Sequence, residues 1–156
     1  MVFGAEAFPT PVDYSLPYPG LIPDHPLYPL KRLRDWLLIV FTRDPVKKIE
    51  LHILLADKKL VMGELLYDKR KTKLSVETFY EGEIEQSNAV AVLSVYKTSD
   101  NPPVGLTDKL ELSVKKHKEV MLGISAGVTD IELQKKLQQA LSMNNRAYSQ
   151  IQSLKD

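Results

Sequence analysis

Three histidines, His25, His52 and His117, are the side chains whose ordinary pKa suits proton transfer or metal ligation near neutral pH. Each falls in a different segment. No two are spaced to share a helix face, and there is neither an H-E-x-x-H motif nor a Cys/His cluster. A metal centre would need tertiary convergence of His52 and His117 with Glu50, Asp57 or Glu119. The simpler reading makes His117, which sits on an apolar helical line, a hydrogen-bonded core histidine. Glu77, Glu81 and Glu85 form a ladder at four-residue spacing, with Glu83 on the same segment. Stacked carboxylates can bind a hard cation, but this spacing reads as a solvated helix face. Asn144 falls on another apolar seam, where a single polar residue fixes register at some cost in stability. His117 and Asn144 are therefore the two core polar candidates. No catalytic, cofactor-binding or metal-ligating residue is assigned, and no cofactor is expected.

The remaining chemistry is excluded by type. No G-x-S-x-G elbow, Walker loop or G-x-G-x-x-G turn occurs, so an enzyme is not expected. The absence of cysteine removes disulfides, zinc–thiolate sites and thiol nucleophiles. Formal net charge is +1, which names no nucleic-acid partner. Charge is uneven along the chain, however. Residues 31–73 hold twelve Lys/Arg against six Asp/Glu, and residues 74–130 hold five against nine. Without interleaved aromatics this reads as complementary helix faces rather than a nucleic-acid surface.

The elements that must position these groups are helices. Seven of the ten prolines lie in the first 29 residues, so residues 1–25 are expected to be an irregular, proline-stiffened tail or tether. Within it, Ala5-Glu6-Ala7 resembles the end of a trimmed signal peptide. A first helix is expected to start near Asp24-His25-Pro26, with Asp24 capping and Pro26 and Pro29 in the first turn. Leu27, Leu30, Leu33 and Leu37 would share one face, with Lys31, Arg32 and Arg34 opposite. The run Trp36–Phe41 is apolar all round, which predicts a central, buried helix. The alternative is an interfacial membrane surface built from Trp36, Tyr28 and Phe41 with those cations.

A second helix over about 45–70 is capped by Asp44 with Pro45 at its first position. Its seam is Val46, Ile49, Ile53, Ala56, Leu60, Gly63 and Tyr67, and Gly63 predicts close helix approach. A third helix, 73–98, carries Val76, Tyr80, Ile84, Ser87, Ala91 and Val95. The fourth, 107–123, lines up Leu106, Leu110, Ser113, His117, Val120 and Ile124, bounded by Gly123 and Gly127. The fifth opens on a Thr129/Glu132 capping box. Its seam is Leu133, Leu137, Ala140, Asn144, Ala147, Ile151 and Leu154. No segment alternates with period two. The fold class is all-α, an antiparallel bundle of four to five helices over residues 26–156 behind the tail. No apolar run reaches the roughly 20 residues of a spanning helix.

Leu21-Ile22-Pro23-Asp24-His25-Pro26-Leu27-Tyr28-Pro29-Leu30-Lys31-Arg32, followed by Phe41-Thr42-Arg43-Asp44-Pro45-Val46-Lys47-Lys48, resembles the opening motif of a bacterial family catalogued as domain of unknown function 5667. Glu50–Leu60, Lys116–Met121 and Gln139–Arg146 are similar to its later helices, so the resemblance covers about residues 14–150. It implies a mostly helical domain lying outside the cytoplasm, behind a signal peptide or membrane anchor that this sequence does not show. It carries no catalytic residues. The expected function is a non-enzymatic, extracytoplasmic interaction domain whose partner is an unknown protein or cell-envelope component. The alternative is a sensing or binding module holding a metal ion or small ligand within the bundle.

Overall fold

The computed structural model describes residues 10–155; Ala5-Glu6-Ala7 lies outside them. Five helices follow in order: α1 (Tyr28–Phe41), α2 (Pro45–Asp68), α3 (Thr72–Lys97), α4 (Leu106–Ser125) and α5 (Ile131–Lys155). No strand occurs among the described residues. Helices α2 and α3 form the most extensive pairing, α5 lies on α3, and α4 closes the bundle against α5 and α2.

Local chemistry explains most of the helix ends. The Asp44 carboxylate accepts from the Val46 amide at 2.9 Å, and Pro45 takes the first position of α2, where no intrahelical N–H is lost. At the other end of α2, the Lys71 amide reaches the Leu66 carbonyl and the Arg70 amide reaches that of Tyr67. This paired closure places Arg70 in the left-handed region, at φ 61°. Gly105, at φ 86°, precedes α4 in the same backbone region, where glycine has no Cβ to clash.

Three expected ends shift. Asp24 does not cap α1; its carboxylate is held by Lys69 and Lys71, and the helix starts at Tyr28 with Pro29 in its first turn. The expected Thr129/Glu132 box is replaced by Asp130, whose carboxylate accepts from the Leu133 amide at 3.0 Å. The acid one residue later is the better placed acceptor, and it leaves Thr129 outside the helix. Helix α4 runs through Gly123 to Ser125, because one glycine weakens a helix without ending it.

The core has two apolar clusters. One gathers Ile49, Ile53, Val90, Leu93, Leu106, Leu110, Val114 and Ile151. The other gathers Leu60, Val76, Phe79, Met121, Leu137, Ala140 and Leu141. The expected α2 and α5 seams are both found there, as is the α4 line through Ser113 and His117. The α3 seam is different. Ile84 and Val95 are exposed, and the buried line runs Val76, Phe79, Glu83, Gln86, Val90, Leu93. It keeps the same alternation of three and four but passes through two polar residues, so hydrophobicity alone selects the wrong face.

The larger correction concerns α1. It is peripheral, its backbone approaching the bundle along α2, with Arg32 reaching Glu81 of α3 at 3.9 Å. Tyr28 and Lys31 are its buried residues, whereas Phe41 is 75%, Leu30 64% and Trp36 57% exposed. The leucine face thus points outward, and Lys31 does not. Helices α2–α5 already close both apolar clusters, which leaves α1 no core to enter. Residues 10–27 carry no helix and run against the bundle, with Leu16 packed on the second cluster.

Gly63 marks the close approach expected of it: an added Cβ would lie 2.5 Å from the Phe79 ring. Gly63→Ala should therefore destabilise the protein by about 1–3 kcal/mol through overpacking. Gly123, within α4 and facing open space, should give the opposite sign, with Gly123→Ala adding about 0.5–1 kcal/mol through helix propensity. Urea unfolding of both variants reads the difference.

Candidate functional site

Between the two apolar clusters lies a buried polar layer to which each of the four bundle helices contributes. Helix α2 supplies Asp57, α3 Glu83 and Gln86, α4 Ser113 and His117, and α5 Asn144, all buried. The His117 ring is central. Its Nδ1 lies 2.7 Å from Glu83 Oε1, and its Nε2 lies 3.1 Å from Asp57 Oδ1. A neutral imidazole has only one N–H, so satisfying both acceptors requires the doubly protonated cation. Burial by itself favours the neutral ring, but the charges and hydrogen bonds of Glu83 and Asp57 override it and push His117 up to about 9.

The carboxylates are satisfied further by neutral donors. Ser113 Oγ donates to Asp57 Oδ1 at 2.6 Å and itself accepts from Gln86 Nε2 at 2.9 Å. Asn144 Nδ2 donates to Glu83 Oε2 at 3.2 Å and to the Val114 carbonyl at 2.9 Å. From outside the bundle, the Tyr14 hydroxyl donates to Asp57 Oδ2 at 2.5 Å. Burial first, and then the hydrogen bond and charge of Asp57, raise the Tyr14 phenol well above its ordinary value. Two anions and one cation share this layer. Among the described residues, two buried side-chain atoms in it have no partner, Gln86 Oε1 and Asn144 Oδ1.

The structure thus brings His117 and Asn144 together on Glu83. It keeps His52 elsewhere: that ring is buried against Glu85, with Nδ1 2.7 Å from Oε2. His25 is exposed and accepts from the Leu27 amide through Nδ1. Glu50 is exposed, and Glu119 accepts from the Val12 amide and from Lys116. In the glutamate ladder, Glu81 is paired with Lys59 and Glu85 with His52. Sequence reasoning did not place Glu83 and Gln86 in the core, although they continue the Val76–Phe79 spacing towards Val90. Tyr14 carried no signal, because its partner is 43 residues away.

Chemically, the layer stores a proton and a charge. Both imidazole nitrogens are engaged, which leaves no lone pair for a nucleophile or a metal. Among the described residues, no three His, Cys, Asp or Glu are arranged to hold a metal ion. A second buried cation fastens the N-terminal segment: Lys31 Nζ donates to the Pro19 carbonyl at 2.5 Å and to the Leu21 carbonyl at 2.8 Å. Desolvation lowers Lys31 to about 8, with Asp35 opposing.

Removing one member of the layer strands a buried charge, so Glu83→Leu should cost about 3–5 kcal/mol in urea unfolding. The pH dependence has a definite sign. Because the folded-state value of His117 lies above the ordinary 6.5, its stabilisation is complete below pH 6.5 and is lost as pH climbs towards about 9. Lys31 works in reverse, its folded-state value lying below the ordinary 10.5, so stability returns only above about pH 8. Between pH 6.5 and 8, unfolding free energy should therefore fall by about 1 kcal/mol per pH unit. In His117→Leu that component should vanish, as parallel urea titrations across the interval would show.

No curated protein and no solved structure matches the chain. A family model does, over residues 20–156, which includes all five helices, Lys31 and the six side chains of the polar layer. The chain belongs to the family described as Domain of unknown function (DUF5667).

Proposed function

We propose that this domain is a non-enzymatic interaction module working outside the cytoplasm at the cell envelope, with α1 as its docking element. One observation carries the reading: α1 turns Tyr28, Lys31, Asp35 and Ile39 towards the bundle and leaves its other apolar residues facing solvent. A helix left to itself in water would do the reverse. Contiguous exposed apolar surface of this kind marks interaction sites. The converging titratable groups are held inside the core with both imidazole nitrogens occupied, which supports a structural rather than a catalytic use. Placement outside the cytoplasm rests on the family resemblance of the opening motif.

A second reading, a module that senses a small ligand or ion within the bundle, draws on the unpartnered Gln86 Oε1 and Asn144 Oδ1. It requires a compound in a thermal-shift screen to raise Tm in the parent and not in Asn144→Leu.

The interaction reading is checked in cells. Expressed from its natural coding sequence, the protein should fractionate with the envelope, and a phosphatase reporter fused behind α5 should be active. Leu33→Asp/Phe41→Asp, which alters only exposed side chains, should move most of the protein to the soluble fraction with Tm within a few degrees of the parent. Unchanged fractionation of that variant would remove α1 from the docking role.

A further inference from the structure

The outer side of α1 has a shape that narrows its occupant. At about 100° per residue, Trp36, Val40, Leu33, Leu37, Leu30, Phe41 and Leu38 sweep roughly 200° of the helix surface. All seven are exposed. A second helix, whether from another protein or from another copy of this chain, needs only a narrow seam of alternating three and four spacing. Half a cylinder is far wider than one groove can cover. It is the width that suits a helix lying in a plane, half immersed. Leu27 and Leu21, just before α1, extend the exposed apolar surface.

The charges agree with a plane of negative sign. With Lys31 turned inward, the outer cations of α1 are Arg32 and Arg34, both exposed: Arg34 pairs with Asp35 at 2.8 Å, and Arg32 stands 3.9 Å from Glu81 of α3. The following turn adds exposed Arg43, and the first turn of α2 adds exposed Lys47. Arg32 lies on the border of the apolar arc. Arg34 lies within it, with a stem long enough to carry its guanidinium back to a polar boundary. Trp36 stands at the edge of the arc, where an amphipathic ring meets a headgroup layer. At 14 residues, α1 is too short to cross a bilayer, and among the described residues no helix is long and apolar enough to do so. Lying along the surface is the geometry left to it.

We propose that α1 docks on an anionic lipid bilayer, with its Leu/Phe arc in the acyl boundary and Arg32, Arg34, Arg43 and Lys47 at the level of the lipid phosphates. The proposal deepens the docking role given to α1 above and rests on it. The bundle then stands on the membrane with its polar layer held clear of the surface.

Trp36 is the only tryptophan, so its emission reports the contact directly. The full chain is titrated with vesicles of phosphatidylglycerol and phosphatidylcholine, and with phosphatidylcholine alone. The expected result is a blue-shifted Trp36 emission and co-sedimentation on the anionic vesicles, weakened by salt. Leu33→Asp/Phe41→Asp should lower the affinity on the order of a hundredfold. Arg43→Glu/Lys47→Glu, at exposed positions, should lower it on the order of tenfold or more, with helicity and Tm retained in both variants. Equal binding to phosphatidylcholine alone would overturn the anionic requirement. Absence of vesicle binding, together with self-association that Leu33→Asp/Phe41→Asp abolishes in sedimentation, would overturn the lipid proposal while leaving α1 as a docking helix. Absence of both, with envelope fractionation unchanged in that variant, would overturn the two together.

Discussion

The imidazolium of His117, clamped between the carboxylates of Glu83 and Asp57, is the constraint around which the bundle is arranged. A charge in a helical core is costly to desolvate and tolerable only when its partners meet it in the right geometry. Here the partners come from two other helices, α2 and α3, with Asn144 and Ser113 completing their hydrogen bonds. A shift of any one of these helices by a single turn would leave an anion or a cation unpaired. The layer therefore specifies which helix faces which, and at what height. The apolar clusters on either side would be tolerant of slippage without it.

The same layer extends outside the four-helix core. Tyr14 reaches in to Asp57, and Val12 offers its amide to Glu119 on α4. Lys31 gathers the carbonyls of Pro19 and Leu21. These contacts hold an irregular segment rich in proline, which can donate few backbone hydrogen bonds of its own. The segment in turn orients the start of α1. Lys31 belongs to that arrangement: a buried cation on the inner side of α1 commits the opposite side, with Leu30, Leu33, Leu37 and Phe41, to solvent or to a partner. The outward apolar face is thus linked, through one lysine, to how the N-terminal segment lies.

Legibility of the sequence varied with the kind of force involved. The α2 and α5 seams are legible because Ile49, Ile53, Leu60, Leu137 and Ile151 fall at helical spacing on lines that are apolar except at Asn144. Asp44-Pro45 could be read because capping is local. The α3 seam is not legible, because its middle is Glu83-x-x-Gln86 and polar residues of these types are mostly exposed. His117 and Asn144 stood out as polar residues on otherwise apolar lines. Their shared partner did not, since a carboxylate on a glutamate-rich helix looks like any other surface acid until something is seen to face it.

By itself, then, the sequence determined the helices, the Asp44-Pro45 cap, two polar residues in the core and membership of the family. These depend on neighbours within one or two turns, where spacing and residue type are sufficient. Only the tertiary structure decided that Glu83, Asp57 and Tyr14 converge on one layer and that α1 faces outward. Those outcomes hang on contacts between residues tens of positions apart, and on whether the remaining helices leave an apolar surface unfilled. A period along one helix tells which side is greasy; what that side meets is settled by the volume the other helices have already closed.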